Sequence, residues 1–367
     1  MKGLNIKAYV DKLVHEKGIP YLDFYMSVGH ECVFRYYASK DGKATGKEML
    51  HLFSATKPVT VCCAMRLIEE GKLSLGDTVE KFIPEYANAY LLDEKGNKVF
   101  PKTKMTVEHL FTMSAGLSYA AYGEPYRSLI KAAGEKATTQ EILGALAAAP
   151  LLFEPGLRFE YSLCHDLLAA VVERASGKRF SAYVDEVVCK PLGMRNSGFH
   201  LDVPLADTYF ANAKRIEKGN GDNELVFTEN YDSGGAGLIS CVEDYARFAQ
   251  TLACGGVWKN GYRLLNEDSL LKIRTCHSGQ ISVQNTFTCI QGNDYGYGLG
   301  VRVRLKELEW GLPKGEFGWD GAASTYLMVD PEKKVSVVIG MHLRNWPEVF
   351  NGEHLKLVEC AYKDLLG

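Results

Sequence analysis

The run from Ser54 to Glu70, SATKPVTVCCAMRLIEE, has apolar residues on nearly every face of the helix that its spacing predicts. Such a helix has to be covered on all sides, so it requires a fold with packed layers around it. Pro58 falls in the first turn, where its missing N–H loses no partner, and Gly71 stands where a left-handed glycine ends many helices. The sequence therefore predicts a buried central helix.

Composition and charge restrict the kind of partner. The chain has 367 residues, of which 46% are hydrophobic and 24% charged, as in ordinary globular proteins. The formal net charge is −3, without a long run of one sign, which argues against a nucleic-acid or anionic-membrane partner. We expect a small-molecule partner instead.

The N-terminal stretch and the cysteines bear on the compartment. MKGLNIKAYVDKLVHEKGIP carries charges every few positions and lacks the apolar run of a secretory signal, and no stretch is long enough to span a bilayer. The 10 cysteines include no C-x-x-C pair, so a zinc or disulfide framework is not indicated. We expect a cytoplasmic protein, unless a leader peptide precedes this sequence, and no cofactor or metal.

The order of predicted elements indicates one α/β layer built from both ends of the chain. A helix up to about His15 precedes two strand-like runs, YLDFYMSVG and ECVFRYYAS, and helical patterns dominate from about residue 85 to 230. Ser240 and Glu243 match a capping box, which predicts the start of another helix. Strands are predicted again in YGYGLGVRVR, EFGWDGAASTYLMVD and KVSVVIGMHLR, and an amphipathic helix follows at the end of the sequence. We predict an α/β domain of residues 1–85 and 230–367, an inserted helical domain of residues 86–229, and an active site between them.

The motif Ser-x-x-Lys, from Ser54 to Lys57, places a hydroxyl and an amine one helical turn apart on one face. Serine needs a base to become a good nucleophile, and a lysine desolvated in an apolar pocket can be partly neutral near pH 7. The spacing alone is weak, because residues 128–131 and 269–272 repeat it. Only the first motif opens a helix that is apolar all round. The alternative, an N-cap serine beside a surface lysine, stays open at this point.

FSATKPVTVCCAMRLIEEGKLSLGDTVEKFIPEY, followed by MTVEHLFTMSAGLSY, resembles the opening of class C β-lactamases and of the related family VIII carboxylesterases. KPLGMRNSGF and SGGAGLISCVEDYARFA are similar to later segments of this family, and the resemblance covers roughly residues 20–345. It implies a β-lactamase/transpeptidase-like α/β (α+β) fold, with an antiparallel sheet flanked by helices plus an inserted all-helical domain. It also implies that Ser54 is acylated and that Lys57 is its base.

Two further motifs of this family have counterparts here. The family's Tyr-x-Asn corresponds to Tyr161 and Leu163 in FEYSLCHDLL, which makes Tyr161 the expected proton shuttle. Leu163 departs from the family pattern, since it offers no amide to a substrate. The Lys-Thr-Gly position is Trp319-Asp320-Gly321, where the esterase branch is similar in carrying tryptophan.

The third motif also bears on the oxyanion hole and on substrate charge. By analogy with the family, the backbone N–H groups of Ser54 and Ala322 form the oxyanion hole, and Gly321 allows a close approach of the strand. Leu163, Trp319, Asp320 and Gly321 are thus expected to line the substrate pocket. A carboxylate at Asp320 is hypothesised to repel anionic substrates, unless the strand directs it away from the pocket.

Competing motifs are incomplete. GLSYA at residues 116–120 lacks the last glycine of a nucleophile elbow, and the glycines of SGGAG lack a P-loop ending. We interpret SGGAG as a close-packed turn beside the site. His109, His165 and His342 are interpreted as loop or supporting groups, since no metal-binding spacing occurs.

The resemblance thus implies a serine hydrolase that acts on small esters, or on amides, by an acyl-enzyme mechanism. A β-lactamase, a D-amino-acid peptidase or a transesterase of the same fold are the alternatives. A non-catalytic binding protein is the alternative from another class. The sequence does not indicate an oligomeric state.

Overall fold

The computed structural model describes residues 3–119, 126–212, 215–277 and 294–366. Its α-helices are α1 (Leu4–Asp11), α2 (Lys57–Glu69), α3 (Val107–Phe111), α4 (Tyr126–Ala133), α5 (Thr139–Leu146), α6 (Cys164–Ser176), α7 (Phe180–Val184), α8 (Lys190–Leu192), α9 (Val242–Ala253), α10 (Glu267–Ile273) and α11 (His354–Leu365). Short 3₁₀ turns cover Phe53–Thr56, Val79–Lys81 and Pro84–Asn88, and π-helical turns cover Lys12–Glu16, Asp185–Cys189 and Val349–Glu353. Within these ranges, no helix is both long and apolar enough to cross a bilayer.

The strands follow the same chain order. They are β1 (Tyr21–Val28), β2 (Glu31–Ser39), β3 (Leu50–His51), β4 (Leu91–Leu92), β5 (Lys98–Val99), β6 (Tyr209–Ala211), β7 (Ile216–Lys218), β8 (Ile239–Ser240), β9 (Tyr295–Tyr297), β10 (Arg302–Arg304), β11 (Phe317–Asp320), β12 (Tyr326–Asp330), β13 (Val335–Gly340) and β14 (Leu343–Arg344). The principal sheet has seven strands in the order β2-β1-β13-β12-β11-β10-β9.

Every pairing in this sheet is antiparallel, and the two N-terminal strands join five strands from the C-terminal part of the chain. The predicted fold class, an antiparallel sheet flanked by helices, is therefore confirmed. The register between β1 and β2 shifts between Met26 and Ser27, where a bulge falls. This topology puts β11 inside the sheet, beside the 3₁₀ turn that carries Ser54.

Side chains alternate between the two faces of the sheet, and each face covers a separate core. One face packs on the terminal helices α1 and α11 through a cluster that includes Phe24, Met328 and Val337. The other face packs on α2, α6 and α9 through a larger cluster that includes Trp319 and Leu327. The β-formers of the terminal strands thus account for both cores, since these strands are buried on both sides.

Helix α2 is the buried central helix that the sequence predicts. Ten of its residues, from Lys57 to Met65 and Leu67, are buried. Pro58 lies in the first turn, and Gly71 has the positive φ of a C-terminal glycine, 69°. The 3₁₀ turn before the helix has Phe53 at φ 47°, a left-handed conformation that bulky residues rarely adopt.

The segment between the two parts of the sheet contains α3 to α8, as the helical patterns predict. Two of these helices begin with reciprocal caps, Thr106 with His109 and Thr138 with Glu141. The proposed boundaries of the inserted domain, residues 86 and 229, stay a prediction.

The capping box predicted at Ser240 and Glu243 is wrong. Ser240 belongs to β8, where it pairs with Leu50, and α9 begins at Val242 with Cys241 as its N-cap. The Ser240 hydroxyl instead bonds to Ser197 and to the Cys241 carbonyl. A tertiary pairing therefore overrides the local signal for a helix start.

Candidate active site

Ser54 and Lys57 meet inside the molecule, at the junction of the 3₁₀ turn and α2. Lys57 Nζ lies 3.1 Å from Ser54 Oγ, because residues three apart share one face of the turn. As an ammonium, Lys57 also donates to the Tyr119 hydroxyl at 3.0 Å and to the Gly235 carbonyl at 2.8 Å. These three oxygens match the three N–H bonds of the ammonium group.

The surroundings of Lys57 favour its neutral form. The side chain is fully buried, and this burial lowers the pKa of Lys57 to about 7, although the charge of Asp166 opposes the shift. Near pH 7 a large fraction of Lys57 is therefore neutral and carries a lone pair 3.1 Å from Ser54 Oγ. This arrangement can remove a proton from the serine hydroxyl.

Tyr119 is a contact of Lys57 that the sequence analysis did not single out as a site residue. Its hydroxyl accepts a hydrogen bond from Lys57, and the Lys57 Nζ lies 5.6 Å from the centre of its ring. The residue ends the quoted segment MTVEHLFTMSAGLSY, and it was considered there only as part of an incomplete nucleophile elbow. The segment resembles the family, but the contact with Lys57 is made by the fold, since the loop after α3 carries Tyr119 to the site.

Tyr161 lies beside Tyr119, against the same lysine. Lys57 Nζ is 4.7 Å from the centre of the Tyr161 ring, and the Tyr161 hydroxyl accepts a hydrogen bond of 3.1 Å from Trp319 Nε1. The structure thus brings together Ser54, Lys57, Tyr161 and Trp319. The role of Tyr161 as a proton shuttle stays a prediction.

An aromatic wall formed by Tyr119, Phe159, Tyr161, Tyr297 and Trp319 covers this group. Its ring centres lie 5.4 Å apart for the pair 119 and 161, 5.5 Å for 161 and 319, 5.3 Å for 297 and 319, and 4.9 Å for 159 and 297. These separations are typical of packed aromatic pairs. Two rings of this wall, those of Tyr119 and Tyr161, lie next to the fully buried Lys57.

Leu163 is buried at the N-cap position of α6, two residues after Tyr161. An asparagine here would present an amide, whereas leucine adds apolar surface to the core that contains Trp319. Near Tyr161, Leu163 therefore offers an apolar side chain where the family's Tyr-x-Asn motif has an amide.

Gly321 allows β11 to approach the turn that carries Ser54. A Cβ atom at this position would overlap the carbonyl oxygen of Leu52, two residues before the serine. Ala322 follows directly and is half-buried. The strand end is therefore held against the turn that carries Ser54. The assignment of an oxyanion hole to the N–H groups of Ser54 and Ala322 stays a prediction.

SGGAG is a close-packed turn beside the site, as interpreted from the sequence. The Gly234 carbonyl accepts a 2.6 Å hydrogen bond from Thr60, and a side chain at this glycine would overlap Ala169. The Gly235 carbonyl accepts from Lys57. Helices α2 and α6 thus enclose the turn between them.

These features agree with the comparison to known proteins. A family model described as Beta-lactamase matches residues 6–358. The chain belongs to the Beta-lactamase family. It is accordingly an enzyme of a serine hydrolase family, as the resemblance of its motifs implies.

Two curated relatives of this Beta-lactamase family member illustrate the similarity. Protein Rv1367c of Mycobacterium tuberculosis is 29% identical over 304 residues, which cover 77% of this chain and 74% of that protein. Esterase EstB of Burkholderia gladioli is 31% identical over 239 residues, which cover 56% of this chain and 57% of EstB.

Solved structures give the same fold. The structure of EstCE1, described as a hydrolase with promiscuous acyltransferase activity, has a TM-score of 0.81 at 25% identity and covers 98% of this chain and 97% of its own. Simvastatin synthase LovD from Aspergillus terreus has a TM-score of 0.78 at 21% identity, with 98% of each chain covered. The second similarity concerns the fold alone.

Asp320 does not present an unpaired carboxylate to the site of this family member. Its Oδ1 accepts a 3.2 Å hydrogen bond from Arg302, and His354 Nδ1 lies 3.7 Å away. Because side chains alternate along β11, Asp320 faces α11 whereas its neighbour Trp319 faces Tyr161. The hypothesis that Asp320 repels anionic substrates therefore loses its basis, since Arg302 compensates the charge.

The two repeated Ser-x-x-Lys motifs lack these surroundings. Residues 128–131 lie in α4 and residues 269–272 in α10, and both Lys131 and Lys272 are exposed. Only Lys57 is desolvated. The three motifs have the same spacing and differ in the burial of their lysines.

The histidines named in the sequence analysis occupy supporting positions. His165 is buried in α6, where burial and the nearby Lys57 lower its pKa to about 3 and keep it neutral. His109 caps α3, and burial lowers the pKa of His342 to about 4. Across the described ranges, no three His, Cys, Asp or Glu side chains are grouped to hold a metal ion.

Proposed function

We propose that the chain is an esterase that hydrolyses small, uncharged esters through an acyl-enzyme at Ser54. The observation that carries this proposal is the 3.1 Å approach of the fully buried Lys57 amine to the Ser54 hydroxyl. A lysine in such a site serves as a base rather than as a surface charge.

The proposed reaction proceeds in two halves. In the first, neutral Lys57 takes the Ser54 proton while Oγ bonds to the ester carbonyl carbon, and the N–H groups of Ser54 and Ala322 stabilise the oxyanion. The carbon–alkoxide bond then breaks, and Tyr161 protonates the departing alcohol and is reprotonated by Lys57. In the second half, water takes the place of the alcohol, releases the carboxylic acid and restores Ser54.

The apolar character of the site supports an uncharged ester as substrate. Leu163 and Trp319 replace the amide and the cation that the lactamase branch carries, and the aromatic wall lies directly above Lys57. A substrate carboxylate has no cation to pair with at the third motif. Short acyl chains with an uncharged alcohol suit this pocket best.

We place the site between the two predicted domains. Ser54 and Trp319 come from the α/β part, residues 1–85 and 230–367, whereas Tyr119 and Tyr161 come from the helical insertion, residues 86–229. Their contacts through Lys57 support this division. The names of two relatives, Esterase EstB and the hydrolase EstCE1, support the ester class.

Hydrolysis of p-nitrophenyl acetate and butyrate tests the proposal. We expect the wild type to turn over both esters and Ser54→Ala to retain less than about one thousandth of kcat. Ser128→Ala, which removes the serine of a repeated motif on the half-exposed helix α4, should behave as wild type. Equal rates for the wild type and Ser54→Ala would contradict the proposal.

Nitrocefin separates the esterase from the lactamase alternative. Because Leu163 and Trp319 offer neither an amide nor a cation, we expect lactam turnover at least about a hundredfold slower than ester turnover. Fast nitrocefin hydrolysis would assign the site to lactam chemistry, and a folded wild type without any acyl transfer would favour the binding-protein alternative.

A further inference from the structure

Asp166 is a buried carboxylate that the mechanism above does not use. It lies in the first turn of α6, five residues after Tyr161, and is 2% exposed. Its Oδ1 accepts hydrogen bonds from the Ser233 hydroxyl at 2.6 Å and from the Tyr231 hydroxyl at 3.0 Å. Burial raises the pKa of Asp166, and the charge of Lys57 together with these hydrogen-bond donors opposes that rise.

The same carboxylate contacts the backbone of the turn that holds Lys57. The Gly235 N–H donates to Asp166, and a Cβ atom at Gly235 would overlap Asp166 Oδ2. The carbonyl of this same glycine accepts the 2.8 Å hydrogen bond from Lys57 Nζ. Asp166 therefore binds one side of the Gly235 residue, and Lys57 binds the other.

The far side of the turn is fixed as well. Thr60 of α2 donates to the Gly234 carbonyl at 2.6 Å. A side chain at Gly234 would overlap Ala169 and the His165 carbonyl of α6. Thr60 and α6 thus hold the turn at Gly234, and the Asp166 carboxylate holds it at Gly235, whose carbonyl binds Lys57.

We propose that Asp166 is a positioning residue for the acylation reaction: it orients the turn at residues 233–235 so that the Gly235 carbonyl holds the Lys57 ammonium, and it supplies the negative charge buried with that ammonium. This inference rests on the proposed function in that it assumes Lys57 to be the base. It assigns a task to a residue outside the Ser-x-x-Lys and Tyr-x-Asn motifs.

Within the described ranges, the other groups around Lys57 are uncharged near pH 7, so Asp166 is the neighbour that can carry a negative charge. Tyr119, Tyr161 and Ser54 contact the lysine as hydroxyl groups or rings. Burial keeps His165 neutral and raises the pKa of Cys164 to about 11, so that this thiol is uncharged near pH 7. Asp166 is therefore the carboxyl group whose charge acts on Lys57, with Gly235 between them.

A titration of Lys57 measures this role without using turnover. The full chain is labelled with [ε-¹³C]lysine, and the Lys57 signal is identified by its loss in Lys57→Met. In Asp166→Asn we expect the Lys57 titration midpoint to fall by about one pH unit, because the ammonium loses its counter-charge and its fixed carbonyl. The acid limb of kcat/KM should move in the same direction, and the maximum should fall about tenfold.

Asp330→Asn is the matched control. Asp330 is also buried and accepts from a tyrosine hydroxyl, that of Tyr362 at 2.8 Å, and from two backbone N–H groups, but it lies on the opposite face of the sheet. It should lower stability without moving the Lys57 midpoint. An unchanged midpoint in Asp166→Asn, or an equal shift in both variants, would overturn the proposal.

Ser233→Ala keeps the test decisive if Asp166→Asn does not fold. It removes the hydrogen bond from Ser233 to Asp166 and retains the carboxylate. We therefore expect the Lys57 midpoint to fall by less than about one pH unit. A wild-type midpoint in this variant would count against the proposal. The failure of the esterase proposal is seen separately, as absence of ester turnover by the wild type.

Discussion

Lys57 is the residue on which the proposed acyl transfer depends. A lysine amine in water is protonated at neutral pH, and a protonated amine accepts no proton from serine. Burial between α2, α6 and the aromatic wall lowers the pKa of Lys57 to about 7. The same contacts that pack the helix thus make the amine a base.

The pH dependence of kcat/KM follows from this shift. Below the Lys57 pKa the amine is protonated and inactive, so kcat/KM should rise with pH through a midpoint near 7 and then level off. The measurement is p-nitrophenyl butyrate hydrolysis from pH 5 to 9, corrected for spontaneous hydrolysis. A midpoint near the ordinary lysine value would contradict a desolvated base.

Tyr119→Phe tests the contact that was not predicted. The substitution removes one of the three oxygens that bind the Lys57 ammonium, so we expect kcat/KM to fall about tenfold with the fold intact. Tyr36→Phe is the control, since the Tyr36 hydroxyl donates to Asp11 at 2.7 Å on the far side of the sheet. Equal activity of both variants would show that the Tyr119 hydroxyl does not contribute to kcat/KM.

At the scale of elements, the site is a junction between the end of β11 and the 3₁₀ turn before α2. Neither element alone forms it. Gly321 makes the junction possible because no side chain separates it from the Leu52 carbonyl. Phe53, at φ 47°, holds the turn in a strained conformation directly before Ser54.

Gly321→Ala should therefore impair both stability and acylation. The added methyl group meets backbone rather than a movable side chain, so we expect a loss of about 1–3 kcal/mol in the free energy of unfolding. The rate of Ser54 acylation should fall as well, because the strand end shifts. Gly76→Ala, where nothing lies near the added Cβ atom, provides the control in urea denaturation and labelling assays. A wild-type acylation rate in Gly321→Ala would contradict the close approach.

The elements themselves were largely predictable from the sequence. The apolar pattern after Ser54 predicts α2 with its proline and its terminal glycine, and the β-rich runs predict the strands of the principal sheet. The start of α9 was predicted wrongly, because the pairing of Ser240 with Leu50 depends on chain segments far apart in sequence. Local signals do not contain such long-range pairings.

For the whole molecule, the sheet separates the site from a buried network of charges on its other face. Arg302 donates to Asp320 at 3.2 Å and to Glu316 at 3.3 Å, and both carboxylates are buried. The prediction that Asp320 lines the pocket rests on a motif, and a motif does not fix the direction of a side chain. The alternation of side chains along β11 and its pairing with β12 decide that direction, and this pairing forms only in the folded sheet.

Arg302→Leu tests whether this network serves stability. The variant leaves the buried Asp320 without its arginine, while Glu316 keeps Arg304, so we expect a loss of about 3–5 kcal/mol in the free energy of unfolding. Lys104→Met, which breaks an ion pair of an exposed lysine with Glu80, should change stability little. Urea denaturation at pH 7 compares the two. Equal small losses would show that the buried pair contributes no more than a surface pair.

The site residues that lie in family-like motifs were predictable from the sequence. The residues that loops bring to Lys57 were not. Ser54, Lys57, Tyr161 and Trp319 lie in segments that resemble family motifs, and the structure brings them together. The contributions of Tyr119 and of the Gly235 carbonyl became apparent only in three dimensions. Both reach Lys57 through loops whose paths depend on the packing of α3 and α6.

The proposed mechanism requires Ser54 to be the nucleophile, and covalent labelling identifies the residue that reacts. The wild type is incubated with a fluorophosphonate at pH 8, and intact-mass and peptide mass spectrometry locate the adduct. We predict one adduct per chain, on the peptide that contains Ser54, and none in Ser54→Ala. An unlabelled wild type, or an adduct on another residue, would show that Ser54 is not the nucleophile.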